Sequence, residues 1–188
     1  MTKPPITKPQ IRVLIVEDDL VDRMACRRAL AQDPDYEFVL SEAETGREGL
    51  QLAHAQQPDC VLLDYHLPDL NGLEFLAELR NDLGEIPVPV MMLTGADTAS
   101  VAVEAMKRGA QDYLVKDVNR QYLELLPAVI QRVLRERRML MEKNRRKPSC
   151  GNTAGVLRSW WQNAPMNLRR RTNNCARTLP NASAFKQN

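Results

Sequence analysis

Four stretches of this chain carry side chains suited to polar chemistry, and each stands at the end of an apolar run. Glu17-Asp18-Asp19 follows Ile11–Val16, Asp64 follows Cys60-Val61-Leu62-Leu63, Thr94 follows the apolar run that ends at Leu93, and Lys116 follows Tyr113-Leu114-Val115. Carboxylates held close together raise one another's pKa and destabilise a fold. A divalent cation removes that cost, and an all-oxygen set suits Mg²⁺, which takes one or two carboxylates together with water and a phosphate. Lys116 offers a compact positive charge for phosphate oxygens, and Thr94 offers a hydroxyl donor. The set is suited to phosphoryl transfer onto a carboxylate. Asp64 would be the nucleophile, and Lys116 would stabilise the oxygens of the transferring group. Taken singly the residues are bland: Asp64 as a turn or cap residue, Glu17 to Asp19 as a helix cap, Thr94 as an ordinary strand-end hydroxyl. Their combination at four strand ends shifts the balance.

Such a site exists only if those ends share one edge of a sheet. Ile11–Val16, Tyr36–Leu40, Cys60–Asp64, Pro87–Leu93 and Asp112–Val115 read as short strands, buried apolar runs bounded by turn residues. Between them the period changes to that of helices. The first carries Val21, Met24, Ala25, Arg28, Ala29 and Leu30 as its stripe, with Asp19 as its cap. The second opens at Thr45-Gly46 and stops at Pro58, and the third follows Asn71-Gly72. The fourth spans Ser100 to Lys107, with Arg108-Gly109 as its stop. The last begins near Asn119 and continues through Ile130, Val133, Leu134 and Met141. An interior Pro costs about 3 kcal/mol or more, so a break near Pro127 is expected. Alternating strands and helices imply βαβ units and an α/β fold, a doubly wound five-stranded parallel sheet of order 2-1-3-4-5. In such a sheet ligands bind at the carboxyl ends of the strands.

The net charge of +2 conceals a split. All the Asp and Glu lie within residues 1–142, and from Lys143 onward every charge is basic. The expected organisation is a disordered lead-in over 1–10, a domain over 11–138, a helix extension over 139–147 and a disordered basic tail over 148–188. The N-terminal stretch lacks the apolar core of a signal peptide. No apolar run reaches the roughly 18 residues that span a bilayer. Cys26 and Cys60 fit as small core residues, and with Cys150 and Cys175 they show neither metal nor disulfide spacing. A reduced, cytoplasmic setting is expected. His54 reads as a helix-surface residue, and Leu70 and Met106 as packing. The tail around Trp160-Trp161 also admits a frame-slip origin, which predicts a heptad-patterned open frame in the DNA after about Met141.

Taken together, Val16-Glu17-Asp18-Asp19, Leu63-Asp64 with Leu67-Pro68-Asp69-Leu70-Asn71-Gly72, Leu93-Thr94-Gly95 and Tyr113-Leu114-Val115-Lys116 resemble the receiver domain of two-component response regulators, from Arg12 to about Arg138. The resemblance implies that Asp64 accepts phosphate from the phosphohistidine of a sensor histidine kinase or a phosphotransfer protein. It implies that Asp18, Asp64 and the backbone carbonyl of His66 bind Mg²⁺, with Glu17 acting through water. Arg23 falls where the family often has Arg, which sets the acidic pair at Glu17-Asp18. Thr94 and Tyr113 would be the switch pair, although Tyr113 reads equally as a strand aromatic. The long final helix would carry output, either by homodimerisation through the last strand and helices or by coupling to another module, and no enzymatic activity is implied beyond slow loss of the phosphoryl group. One departure stands out: Asp117 occupies the place where the family usually has Pro.

Three rivals stand beside this reading. A haloacid-dehalogenase-type phosphatase would want a second Asp two residues after the first, where this chain has His66. A pseudo-receiver acting purely as an interaction module would lack part of the pocket, which here is complete. A DNA-binding regulator would need the basic tail, which has neither helix-turn-helix periodicity nor zinc spacing. Neither nucleic acid nor membrane is therefore expected as a partner.

Overall fold

The computed structural model describes residues 8–95 and 99–146. The chain divides into two units, Met1–Glu142 and Lys143–Asn188. The sheet and the helices packed on it belong to the first unit, and the last of these helices runs on to Arg146. The expectations for the basic tail, Cys150, Cys175 and Trp160-Trp161 lie outside the described residues.

Ten elements alternate along the chain: β1 (Gln10–Val16), α1 (Leu20–Ala31), β2 (Glu37–Ala43), α2 (Gly46–Gln56), β3 (Cys60–Asp64), α3 (Gly72–Glu78), β4 (Val90–Gly95), α4 (Ala99–Lys107), β5 (Asp112–Lys116) and α5 (Tyr122–Arg146). The strands form one parallel sheet in the order β2-β1-β3-β4-β5. This is the doubly wound order read from the sequence. Alternate residues of the central strands face opposite ways, as a period of two requires. Leu14, Val16, Val61, Leu63, Val90 and Met92 pack with α2 and α3 residues such as Leu50, Phe75 and Leu76. Val13, Ile15, Leu62, Met91 and Leu93 pack with Cys26 and Leu30 of α1 and with Leu126, Ile130 and Val133 of α5. Cys26 and Cys60 are both fully buried, as small core residues are.

Several boundaries depart from the sequence reading. β1 begins at Gln10, and the Pro9 carbonyl accepts the Glu37 N–H at 3.1 Å, so the sheet starts inside the stretch assigned to a lead-in. β2 extends to Ala43 because its last residues pair with Leu14, Ile15 and Val16. β4 starts at Val90, after Pro87 and Pro89, which have no N–H to give a ladder. α5 starts at Tyr122 and is not interrupted at Pro127. Proline removes one helical hydrogen bond there, while Leu126, Ile130 and Val133 remain buried against the sheet and hold the helix in place.

Two packing expectations are corrected. The α1 stripe of Val21 and Met24 faces solvent, Met24 being 43% exposed, and the buried residues of the helix are Arg23, Cys26 and Leu30. Hydrophobic periodicity misplaced this face because a buried arginine sits on it. Met106 is likewise 43% exposed, and α4 is buried through Ala102 and Ala105.

Candidate functional site

Parallel pairing lines up the strand ends. Val16 pairs with Leu63, Asp64 with Leu93, Thr94 with Val115 and Gly95 with Lys116. The residue after β1, the last of β3, the penultimate residue of β4 and the last of β5 therefore meet on one edge.

Glu17 enters this edge from β1, its N–H donating to the Ala43 carbonyl at 3.1 Å. The turn after it is held from below by Arg23, which is buried. Arg23 Nη1 donates to the carbonyls of Glu17 at 2.6 Å and Asp18 at 3.0 Å, and Nη2 donates to Glu44 Oε1 at 2.5 Å. Arg23 thereby holds the backbone of Glu17 and Asp18 in place. Asp19 caps α1, accepting the Val21 and Asp22 N–H groups at 2.7 and 3.0 Å.

Asp64 closes β3, and the turn after it is shaped by short-range bonds. Asp64 Oδ2 accepts the His66 N–H at 2.6 Å, and the Gly72 N–H donates to the Tyr65 carbonyl at 2.9 Å. Gly72 is needed for its small size. A Cβ there would lie 3.2 Å from Tyr65 Cα and 3.3 Å from the Asp64 carbonyl, tighter than ordinary contact. Asn71 and Glu74 complete a capping box on α3. Asp69 reaches across to α2, accepting the Gly46 and Arg47 N–H groups at 2.7 and 2.9 Å. The turn is thus tied to two helices.

Lys116 joins the carboxylates. Its Nζ lies 2.6 Å from Glu17 Oε2, 2.6 Å from Asp64 Oδ1 and 3.2 Å from Asp22 Oδ2. Burial opposes the charge on Lys116, but the field of Asp64 and the hydrogen bonds to Asp64 and Glu17 outweigh it and raise its pKa. Glu17 is 1% exposed. Burial foremost, with the negative charge of Asp64, pushes its pKa up to about 7 against the pull of Lys116.

Oxygens of Glu17, Asp18 and Asp64 all lie within 4.8 Å of one another, a spacing able to hold one cation. Thr94 is 1% exposed, and its Oγ1 is buried with no hydrogen-bond partner among the described residues. A buried hydroxyl left unpaired is costly, and a phosphoryl oxygen arriving at the neighbouring strand end would give it a partner. The carboxylate cage and the orphaned hydroxyl together fit a site for Mg²⁺ and a phosphoryl group.

The structure thus brings together Glu17, Asp18, Asp64 and Lys116, with Thr94 at the adjoining strand end. Tyr113 lies on β5, 42% exposed. The His66 side chain is also exposed, its ring set edge-on to Tyr65 with centroids 4.7 Å apart. Asp117, at the position expected to hold Pro, accepts the Tyr122 N–H at 3.0 Å, and that bond foremost lowers its pKa. It shapes the loop before α5 through its side chain. Asp22 and Arg120 were missed by the sequence reading. Arg120 takes a left-handed backbone (φ 56°) and places Nη2 3.7 Å from Asp22 Oδ1. The available signal was that Asp22 falls three residues after the cap Asp19, in the first turn of the helix that begins at the site.

The sequence model of the response regulator receiver domain matches residues 13–126. The chain is 31% identical over 146 residues to the response regulator MprA of Mycolicibacterium vanbaalenii, covering 78% of this chain and 57% of that protein. It is 33% identical over 119 residues to the nitrate/nitrite response regulator protein NarL of Escherichia coli K12, covering 63% of this chain and 53% of that one. The chain therefore spans about half the length of these curated relatives. Among solved structures, the response regulator domain of Thermotoga maritima CheB superposes with a TM-score of 0.58 at 28% identity, covering 66% of this chain and 96% of that one. With the strand order, the aligned strand ends and these matches, the chain belongs to the response regulator receiver domain family.

Proposed function

We propose that this chain is the phosphoacceptor receiver of a two-component phosphorelay, phosphorylated at Asp64. The observation that carries the reading is Lys116 bridging Glu17 and Asp64 at 2.6 Å beside the Thr94 hydroxyl, which has no partner among the described residues. An Asp64 carboxylate oxygen attacks the phosphorus of a phosphohistidine on a sensor histidine kinase or phosphotransfer protein. A P–O bond forms as the P–N bond breaks, and the imidazole leaves. Mg²⁺, held by Asp18, Asp64 and the His66 carbonyl with Glu17 through water, would neutralise charge between the carboxylates and the phosphoryl group. Lys116 pairs with a phosphoryl oxygen, and the Thr94 hydroxyl donates to another. Beyond this transfer and slow hydrolysis of the acyl phosphate the domain has no enzymatic activity in this reading.

Phosphorylation adds about −1.5 to −2 charges and biases the surface of α4, β5 and α5. That surface already exposes Val103, Met106, Tyr113, Val115 and Leu125. Movement of Thr94 toward the phosphoryl group, with Tyr113 following, is the switch, and homodimerisation through this surface is its output. The working domain runs from the start of β1 at Gln10 to about Arg138, and the setting is the cytoplasm. Among the described residues no helix is long and apolar enough to cross a membrane.

The test is intact mass after incubation with Mg²⁺ and acetyl phosphate, for the wild type and Asp64→Asn. One phosphate adduct, labile to hydroxylamine and missing from the variant, is expected. Folded protein that takes no adduct from acetyl phosphate or from phosphorylated histidine donors would assign the domain to phosphate-independent protein interaction.

A further inference from the structure

Asp64 and Thr94 stand at the carboxyl ends of β3 and β4. At the opposite ends of the same strands lies a cavity of about 570 Å³, bounded by the ends of α2 and α3, the Pro87-Val88-Pro89 approach to β4 and the far half of α5. Its volume is in the range of small-molecule sites, about 300–1,000 Å³. The walls are largely apolar, with Pro58, Leu79, Val88, Leu134 and Met141 among them.

The charged groups in this wall do not cancel. Asp59 is the one acid among the lining residues; Arg138 contributes a weaker attraction to it, and Arg12 is its direct partner: Nη2 lies 3.1 Å from Oδ1, while Nε and the backbone N–H donate to Oδ2 at 3.3 and 2.9 Å. Asn81 is engaged in its own turn by Leu83 and Glu85. Arg137 is half-buried. It donates to the Pro87 carbonyl and pairs with no carboxylate among the described residues. Its burial opposes the charge and lowers its pKa. Arg138 and His54 line the same space. A guanidinium has five donors in a planar fork that matches a carboxylate, and one carbonyl leaves most of that capacity unused.

We propose that this cavity binds a small organic carboxylate with an apolar body, the carboxylate on Arg137 and Arg138 and the body against Pro58, Val88 and Leu134. A phosphate dianion fits less well, because the apolar walls would strip its water and offer few further donors. The ligand would join α5 to the loops that lead into β3 and β4. Its occupancy would therefore act on the helix from the end of the domain remote from Asp64.

The probe is 1-naphthoate, compared with the neutral 1-naphthamide, titrated by calorimetry into the full chain. Naphthoate is expected to bind about tenfold or more tightly than the amide, since a hydrogen bond to a charged group contributes about 1.5–3 kcal/mol. Arg137→Gln should remove that preference, and Asp64→Asn should leave it unchanged. Arg138→Gln, at an exposed residue, is the second variant should the first disturb folding, and it should weaken naphthoate several-fold without altering the amide. Equal binding of acid and amide, no saturable binding, or a preference that survives both arginine substitutions would overturn the proposal. So would a concentration-dependent dimer from which naphthoate is excluded, which would assign the cavity to a second copy of the chain.

Discussion

Thr94→Val should make the resting protein more stable and the phosphorylated protein less so. The Thr94 hydroxyl is buried at 1% exposure, and its oxygen has no partner among the described residues. Leaving a buried polar group unpaired costs about 1–3 kcal/mol, whereas an apolar group of the same shape carries no such penalty. Valine replaces the hydroxyl with a methyl of nearly the same volume and the same β-branching, which suits the fourth strand. A gain of about 1–2 kcal/mol is expected, which for a domain of this size raises Tm by about 3–8 °C. When Asp64 carries a phosphoryl group the wild-type hydroxyl acquires a charged acceptor, an interaction contributing about 1.5–3 kcal/mol that valine cannot make. The order of stabilities should therefore cross. The assay is thermal unfolding by far-ultraviolet circular dichroism, with Mg²⁺, before and after acetyl phosphate treatment. A variant less stable than wild type at rest would mean that the hydroxyl is already satisfied. An advantage fully retained after phosphorylation would mean that the hydroxyl does not reach the phosphoryl group.

Lys116→Met leaves Glu17 and Asp64 without their shared cation. Loss of one partner of a buried pair costs about 3–5 kcal/mol, and the 18% exposure of the Lys116 side chain places this case near the lower figure. Urea unfolding should show that loss, with Mg²⁺ restoring more stability to the variant than to wild type. Asp22→Asn releases Lys116 from its third carboxylate at 3.2 Å. Single-turnover phosphorylation and adduct decay, followed by mass, should shift by a few-fold while the melting curve stays nearly fixed; rates equal to wild type would exclude a role for Asp22. Gly49→Ala brings a Cβ within 2.7 and 2.8 Å of the Val16 methyls and 3.0 Å of Phe75 Cε2. Overpacking of about 1–3 kcal/mol should exceed the helix-propensity gain of about 1 kcal/mol, so the variant should unfold at lower urea. Burial opposes the charge on Asp69, but the Arg47 and Gly46 N–H bonds outweigh it and lower its pKa. A depressed carboxylate contributes stability above its unfolded pKa of about 3.9 and loses it as pH falls through the folded value. Asp69→Ala should accordingly cost about 1 kcal/mol at pH 7, and the gap from wild type should close under acid.

Much of this molecule could be read without coordinates, because its signals are local. Apolar runs ending in Glu17, Asp64, Thr94 and Lys116 mark buried strands, and alternation with helices leaves few topologies. That topology is what brings Glu17, separated by 99 residues from Lys116, to 2.6 Å. The cap at Asp19 and the helix starts at Thr45-Gly46 and Asn71-Gly72 were legible for the same reason: Asp19, Thr45 and Asn71 each bond to N–H groups within three residues. What escaped the sequence depends on contacts between elements. The rotation of α1 follows from Arg23 reaching the Glu17 and Asp18 carbonyls, which turns Val21 and Met24 outward against the hydrophobic pattern. That rotation also presents Asp22 to Lys116. Pro127 was expected to break α5, yet the apolar face packed on the sheet outweighs one missing hydrogen bond. That the Thr94 oxygen lacks a partner and Arg137 a carboxylate among the described residues was also invisible in one dimension, because whether a polar group is satisfied depends on what surrounds it in space. Strand order and the polar side chains at the strand ends were thus written into local residue types. Helix rotation, side-chain pairing and the cavity at the far end were decided only when the elements packed.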